Sequence, residues 1–133
     1  MKKQICRSLV IAALLAAAAP FLTGCLAVVA GGAAAGTVAY VMGDLKAVVD
    51  ANTKKVRKAI EAAGKSIGLH QIEAKSDEMV GTYKFRNGQD AKITIDYKRI
   101  TGSTTELKIR VGVFGDEPQA EQILEAIRKE LGK

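Results

Sequence analysis

The sequence predicts an α+β fold, a two-layer sandwich in which an N-terminal and a C-terminal helix cover one face of an antiparallel sheet of three or four strands. Three stretches of distinct hydrophobic period carry that prediction. Apolar residues recur at three- and four-residue steps from Leu45 to Ile67, at two-residue steps from Met79 to Val113, and at helical steps again from Ala120 to Leu131. Residues 44–133 contain all three stretches. A segment of about ninety residues can bury one modest core without metals or disulfides.

The first helix is expected to start at Asp44, which can cap free N–H groups, and to stop at Gly68. Leu45, Val48, Val49, Val56, Ile60, Ala63 and Ile67 form its apolar stripe, with Lys54, Lys55, Arg57, Lys58 and Lys65 on the solvated side. A short strand near Leu69–Ala74 follows. Met79, Gly81, Tyr83 and Phe85 then alternate with Val80, Thr82, Lys84 and Arg86 as far as Asn87-Gly88, a two-residue hairpin signal. Ala91, Ile93, Ile95 and Tyr97 alternate with Lys92, Thr94, Asp96 and Lys98. After Thr101-Gly102-Ser103, Leu107, Ile109, Val111 and Val113 alternate with Glu106, Lys108, Arg110 and Gly112. Such alternation marks an antiparallel meander with one apolar face. Asp116 can cap the last helix, Pro118 suits its first turn, and Gln119 stands where a capping-box partner would. Ala120, Ile123, Leu124, Ile127 and Leu131 make its apolar stripe.

Upstream of Asp44 the composition differs. Lys2, Lys3 and Arg7 precede an apolar run from Leu9 to Ala19, then Pro20 and Leu22-Thr23-Gly24-Cys25. This order resembles the signal peptide and lipobox of bacterial lipoproteins. The resemblance implies cleavage between Gly24 and Cys25, loss of residues 1–24, and a lipid on Cys25. An aspartate after the cysteine would resemble an inner-membrane retention signal, and this chain has Leu26 there. The resemblance therefore implies the outer membrane, facing the periplasm, in a two-membrane host. The inner membrane, or the cell membrane of a one-membrane host, are the other sites. Residues 25–43 are then a lipidated, Gly/Ala-rich tether. Gly32 and Gly36 stand four apart, which leaves open a flexible tether or a helix that associates or inserts.

The same processing would change the charge and thiol content. The whole chain has a net charge of +6. Loss of Lys2, Lys3 and Arg7 leaves seventeen cations against fourteen acids, a net +3. An exported, tethered domain is not expected to meet nucleic acid. Cys6 would leave with the signal and Cys25 would be acylated, so no disulfide is expected in the mature chain.

The block Ile109-Arg110-Val111-Gly112-Val113-Phe114-Gly115-Asp116-Glu117 is a second signature. Together with the lipobox, the tether, Tyr40 and Gly43-Asp44-Leu45, it resembles a family of small bacterial lipoproteins of unknown function. The likeness covers the mature chain and implies no activity, cofactor or ligand. The block also has a folding role of its own. Gly112 permits a bulge or a close backbone approach, Gly115 a turn conformation that other residues avoid, and Asp116 a helix cap.

No residue set points to catalysis, and an enzyme is not expected. The single histidine, His70, belongs on the surface or an edge strand, and no Ser/His/Asp ordering is present. No ligand cluster for a metal and no phosphate loop stands out, so neither metal nor cofactor is expected. Asp77/Glu78 and Asp116/Glu117 sit in turns, without the distinct environments that separate an acid from a base. If Tyr83, Ile93 and Ile109 face the helices, the opposite sheet face presents Lys84, Arg86, Lys92, Lys98, Lys108 and Arg110 against Asp96 and Glu106, with Glu78 near its edge. The expected function is that of a lipid-anchored cell-envelope protein with a non-catalytic accessory or structural role. Its basic face would contact an anionic envelope component. The alternative is a small-ligand binding module with a pocket between helices and sheet, for which the aliphatic core supplies few aromatic lining residues.

Overall fold

The computed structural model describes residues 37–133. Its elements run β1 (Val38–Val41), β2 (Asp44–Val49), α1 (Thr53–Ser66), β3 (His70–Ser76), β4 (Val80–Arg86), β5 (Lys92–Arg99), β6 (Thr105–Val111) and α2 (Glu117–Leu131). One antiparallel sheet of six strands has the order β1-β2-β6-β5-β4-β3. The helices pack on each other and on one sheet face. The α+β two-layer architecture is the one the sequence predicts, but the sheet has six strands rather than three or four.

The first difference lies at Asp44. It opens strand β2, not a helix, and residues 38–41, read as tether, form strand β1 beside it. Leu45, Ala47 and Val49 are buried while Lys46 is exposed, a period of two. The helix starts at Asn52, whose side chain accepts the Lys55 N–H at 2.9 Å. Its end is as expected. Gly68 has φ +73°, the Leu69 N–H reaches the Gly64 carbonyl at 2.8 Å, and the Gly68 N–H reaches Lys65 at 3.3 Å. Those two bonds are the paired closure of a Schellman motif.

The hairpin turns also differ from expectation. Asn87-Gly88 does not close a two-residue hairpin, because Arg86 pairs with Lys92 and five residues lie between. The Asn87 side chain instead accepts the N–H groups of Gln89 and Ala91, and Asp90 takes the positive φ of +63°. The tight hairpin is at Met42-Gly43, between paired Val41 and Asp44, with φ of +54° and +86°. Two positive φ values match the right-handed strand twist.

The core fills the space between helices and sheet. Tyr83, Phe85, Ile93, Ile95, Tyr97, Leu107, Ile109 and Val111 supply the sheet side; Val56, Ile60, Ala120, Leu124 and Ile127 supply the helix side. Tyr83 stacks with Phe85 and lies tilted against Tyr97, each at 6.3 Å between ring centroids. Tyr97 lies across its register partner Gly81, where a Cβ would stand 2.4 Å from the ring. Its hydroxyl donates to the Asp77 carbonyl at 2.7 Å. The buried Thr105 donates to the Ala51 carbonyl at 2.7 Å and ties β6 to the β2–α1 connection. Val113 does not continue the inward series. Strand β6 ends at Val111, Gly112 turns with φ +70°, and Val113 is left 80 % exposed.

Candidate functional site

The face of the sheet opposite the helices carries the charge. Residues directly opposite in an antiparallel register share a face, so Lys46 lies beside Lys108, Arg110 beside Thr94, Asp96 beside Thr82, and Lys84 beside Glu73. The structure brings all six sequence-predicted cations, Lys84, Arg86, Lys92, Lys98, Lys108 and Arg110, to this one surface. It adds Lys46 from β2 and Lys75 from β3. Eight cations therefore face Asp44, Glu73, Asp96 and Glu106. Glu78 is elsewhere: it sits in the β3–β4 turn, and its carbonyl accepts the Thr53 hydroxyl of α1 at 2.9 Å.

Most of these cations are already paired. Lys84 and Lys75 share Glu73 at 2.5 and 2.8 Å, and together their hydrogen bonds hold that carboxyl down at about 2. Lys108 meets Asp96 at 3.0 Å, and Thr82 donates to the other oxygen of Asp96 at 2.7 Å. Arg86 meets Asp90 at 2.6 Å. Arg110 meets Asp44 at 2.6 Å, and that bond holds the Asp44 carboxyl below its ordinary range. Exposed pairs of this kind add little stability, but they cancel much of the field that the bare cations would project. Among the described residues, Lys46, Lys92 and Lys98 have no ion-pair partner.

A hollow of about 610 Å³ opens on this face, lined among others by Lys75, Val80, Thr82, Lys98, Glu106 and Lys108. Its lysines are balanced by Asp77, Asp96 and Glu106. A recess of about 460 Å³ lies at the end of the helix layer, between the α1 terminus and the start of α2, lined by the amides of Asn87, Gln89, Gln119 and Gln122 and by Ile67, Leu69, Ile93 and Ile123. His70 is exposed on β3, opposite Arg86. Among the described residues, no group of three His, Cys, Asp or Glu side chains is placed to hold a metal ion. None of their helices is long and apolar enough to cross a membrane. Gly24 and Cys25, the expected cleavage and lipidation positions, lie outside the described residues.

A second construction was not foreseen from the sequence. Arg110 does more than pair with Asp44: its guanidinium donates to the carbonyls of Met42 at 3.0 Å and Val113 at 3.2 Å. One side chain thus ties the β1–β2 turn to the β6–α2 connection. The backbones of Gly43 and Gly115 meet at the same place, where a Cβ on Gly115 would stand 2.4 Å from the Gly43 Cα. Arg110, Gly112, Gly115 and Asp116 along the block thereby acquire separate physical roles: brace, turn, close approach and cap.

Comparison with curated proteins gives no match. Over residues 8–130 the chain matches the model of a family described as "Protein of unknown function (DUF3568)", and it belongs to that family.

Proposed function

We propose that this is a lipid-anchored cell-envelope protein with a non-catalytic accessory or structural role, held by acylated Cys25 and engaging an anionic envelope component through the uncovered sheet face. The observation that carries the contact is that face itself. It is uncovered by either helix and holds eight cations against four carboxylates. Lys46, Lys92 and Lys98 are the cations left to meet a partner, since the others are engaged by neighbouring carboxylates. The anchor rests on the Leu22-Thr23-Gly24-Cys25 order behind a basic and then apolar leader. Outer-membrane placement rests on Leu26.

A small-ligand module is the weaker reading. The recess near the helices mixes Ile67, Leu69, Ile93 and Ile123 with four amide side chains and has no aromatic lining, whereas ligand pockets are lined mainly by apolar and aromatic groups.

The anchor is tested by mass spectrometry of the native N-terminus, which should find a diacylglyceryl cysteine at position 25. An intact chain from Met1 in the membrane fraction would refute it. The contact is tested by Lys46→Glu, Lys92→Glu and Lys98→Glu combined. This variant should fold normally and lose salt-sensitive capture of envelope components, because exposed charges act over about 8–10 Å at physiological salt. Unchanged capture would show that the face is only solvated.

A further inference from the structure

Asn87-Gly88 does not make the tight hairpin its residues favour, and the loop it makes instead arranges one side chain for chemistry. The Asn87 side-chain oxygen accepts the N–H groups of Gln89 at 3.0 Å and Ala91 at 2.9 Å, and its amide nitrogen donates to the Gln119 side chain at 3.2 Å. Both donors to the oxygen follow Asn87 in the chain, so they fold the amide forward over Gly88. Gly88 is exposed, and nothing lies within 4 Å of where its Cβ would stand. Its own N–H donates to no group among the described residues.

We propose that Asn87 is a self-modification site, which the folded loop converts to a mixture of isoaspartate and aspartate with water as the only co-reactant. The Gly88 nitrogen attacks the Asn87 Cγ. The N–Cγ bond forms, the Cγ–Nδ2 bond breaks, and ammonia leaves carrying the Gly88 proton. Water then opens the cyclic imide, at the main-chain carbonyl to give isoaspartate or at the side-chain carbonyl to give aspartate.

Three features promote the first step. Ring closure is intramolecular, so no translational freedom is lost in bringing the atoms together. The negative charge that builds on Oδ1 as Cγ becomes tetrahedral meets two N–H groups already aimed at it, as in an oxyanion hole. Glycine places no side chain beside its own nitrogen. Asn52, the other asparagine of the chain, is the internal contrast: its oxygen accepts one N–H, from Lys55, and the β-branched Thr53 follows it.

Conversion changes the surroundings of the loop. The Asn87 amide is the donor in the bond to Gln119, so its loss unties the β4–β5 loop from the first turn of α2. Isoaspartate also adds a carbon to the main chain between Arg86 and Lys92. The new carboxylate stands at the recess that Asn87 lines with Gln89, Gln119 and Gln122, where no lining residue is ionisable. Neither product re-forms the amide, so the change is one-way and records the age of the molecule.

The test follows Asn87 in the full-length protein, folded in buffer and unfolded in guanidinium chloride at matched pH and temperature. Peptide mapping by mass spectrometry, with fragmentation that separates isoaspartate from aspartate, reads both products. An oxyanion donor in an enclosed site is worth about 10²–10³ in rate. This loop is open to water, so conversion is expected to run about tenfold faster in the folded chain than in the unfolded one. Both products should form, the rate should rise with pH as the Gly88 nitrogen gives up its proton more readily, and Asn52 should stay intact. Gly88→Ala, which leaves the fold in place, should lose most of the conversion. An equal or slower rate in the folded chain means that the hydrogen bonds protect the amide, and overturns the proposal. Aspartate without isoaspartate means direct hydrolysis by water, and undiminished conversion in Gly88→Ala excludes Gly88 as the nucleophile; either overturns it as well.

Discussion

Replacing Gly115 by alanine tests the contact between the two turns. Two costs add. At φ +89° an L-residue is disfavoured by about 1–2 kcal/mol. The new Cβ would also stand 2.4 Å from both the Cα and the carbonyl oxygen of Gly43, and 2.5 Å from the Tyr40 hydroxyl. Carbon contacts settle near about 3.5–4.0 Å. The obstacle is mostly backbone, which cannot swing aside as a side-chain end can, so the turns must part, at an overpacking cost of about 1–3 kcal/mol. The expected loss is about 2–5 kcal/mol, or about 1–2.5 M in urea midpoint at a slope of about 2 kcal/mol per M. Gly112→Ala separates the two costs. Its φ is +70° but nothing lies within 4 Å of the added carbon, so it should lose about 1–2 kcal/mol and no more. Gly88→Ala faces neither cost and should stay within about 0.5 kcal/mol of the parent. Urea unfolding followed by circular dichroism measures all three. Equal losses at 112 and 115 would refute the close approach and leave only the turn conformation.

Asn52→Ala should cost about 0.5–2 kcal/mol as a lost helix cap, read from the same urea midpoints. If the helix began at Asp44, that substitution would be nearly silent. Thr105→Val keeps the shape but removes the donor to the Ala51 carbonyl, and should lose about 1–3 kcal/mol where Thr105→Ser loses less. Acid should weaken the fold through Glu73 and Asp44, whose carboxyls are both held low by basic partners. A depressed folded value means the contribution is complete above the ordinary 4.5 of Glu73 and is lost as pH falls toward about 2. Glu73→Gln should therefore show a smaller drop in melting temperature across that window, and an unchanged drop would refute the assignment. At the other extreme, burial and Glu61 push the Tyr83 hydroxyl up to about 12. Its contribution is complete below 10 and fades as pH rises through 12, an effect that Tyr83→Phe should remove.

The inward and outward faces of β4, β5 and β6 were legible because strict alternation runs through three consecutive segments, long enough to exclude a helical period. The five residues from Leu45 to Val49 are too few for that. Leu45, Val48 and Val49 satisfy helical spacing, whereas Leu45, Ala47 and Val49 satisfy strand spacing, and only burial of the small Ala47 separates the two. Asn52 was the available local signal, since a side chain three residues before Lys55 can cap that N–H. The hairpins went the other way for a tertiary reason. Asn87-Gly88 has the favoured residues for a tight turn, yet Asn87 spends its side chain on Gln89, Ala91 and Gln119. Met42-Gly43 has less favourable residues but is fixed by Arg110, sixty-eight positions away.

The same distinction governs the charged face. Its cations were visible from alternation, but their neutralisation was not, because Glu73 and Asp44 arrive on strands that local pattern placed weakly or wrongly. Counting charge along β4–β6 therefore overstates the field. Lys84, Lys108 and Arg110 each have a carboxylate within 3.0 Å, and Arg110 also holds two backbone carbonyls. Reversing Arg110 would break the brace between two turns as well as alter the surface, so lost binding in such a variant would not identify a contact. Reversing Lys46, Lys92 and Lys98 alters the surface alone. Of those three, Lys46 emerges only once β2 is recognised as a strand: the register that buries Leu45 and Ala47 is what turns Lys46 outward, beside Lys108, and makes it part of the face on which the proposed contact depends.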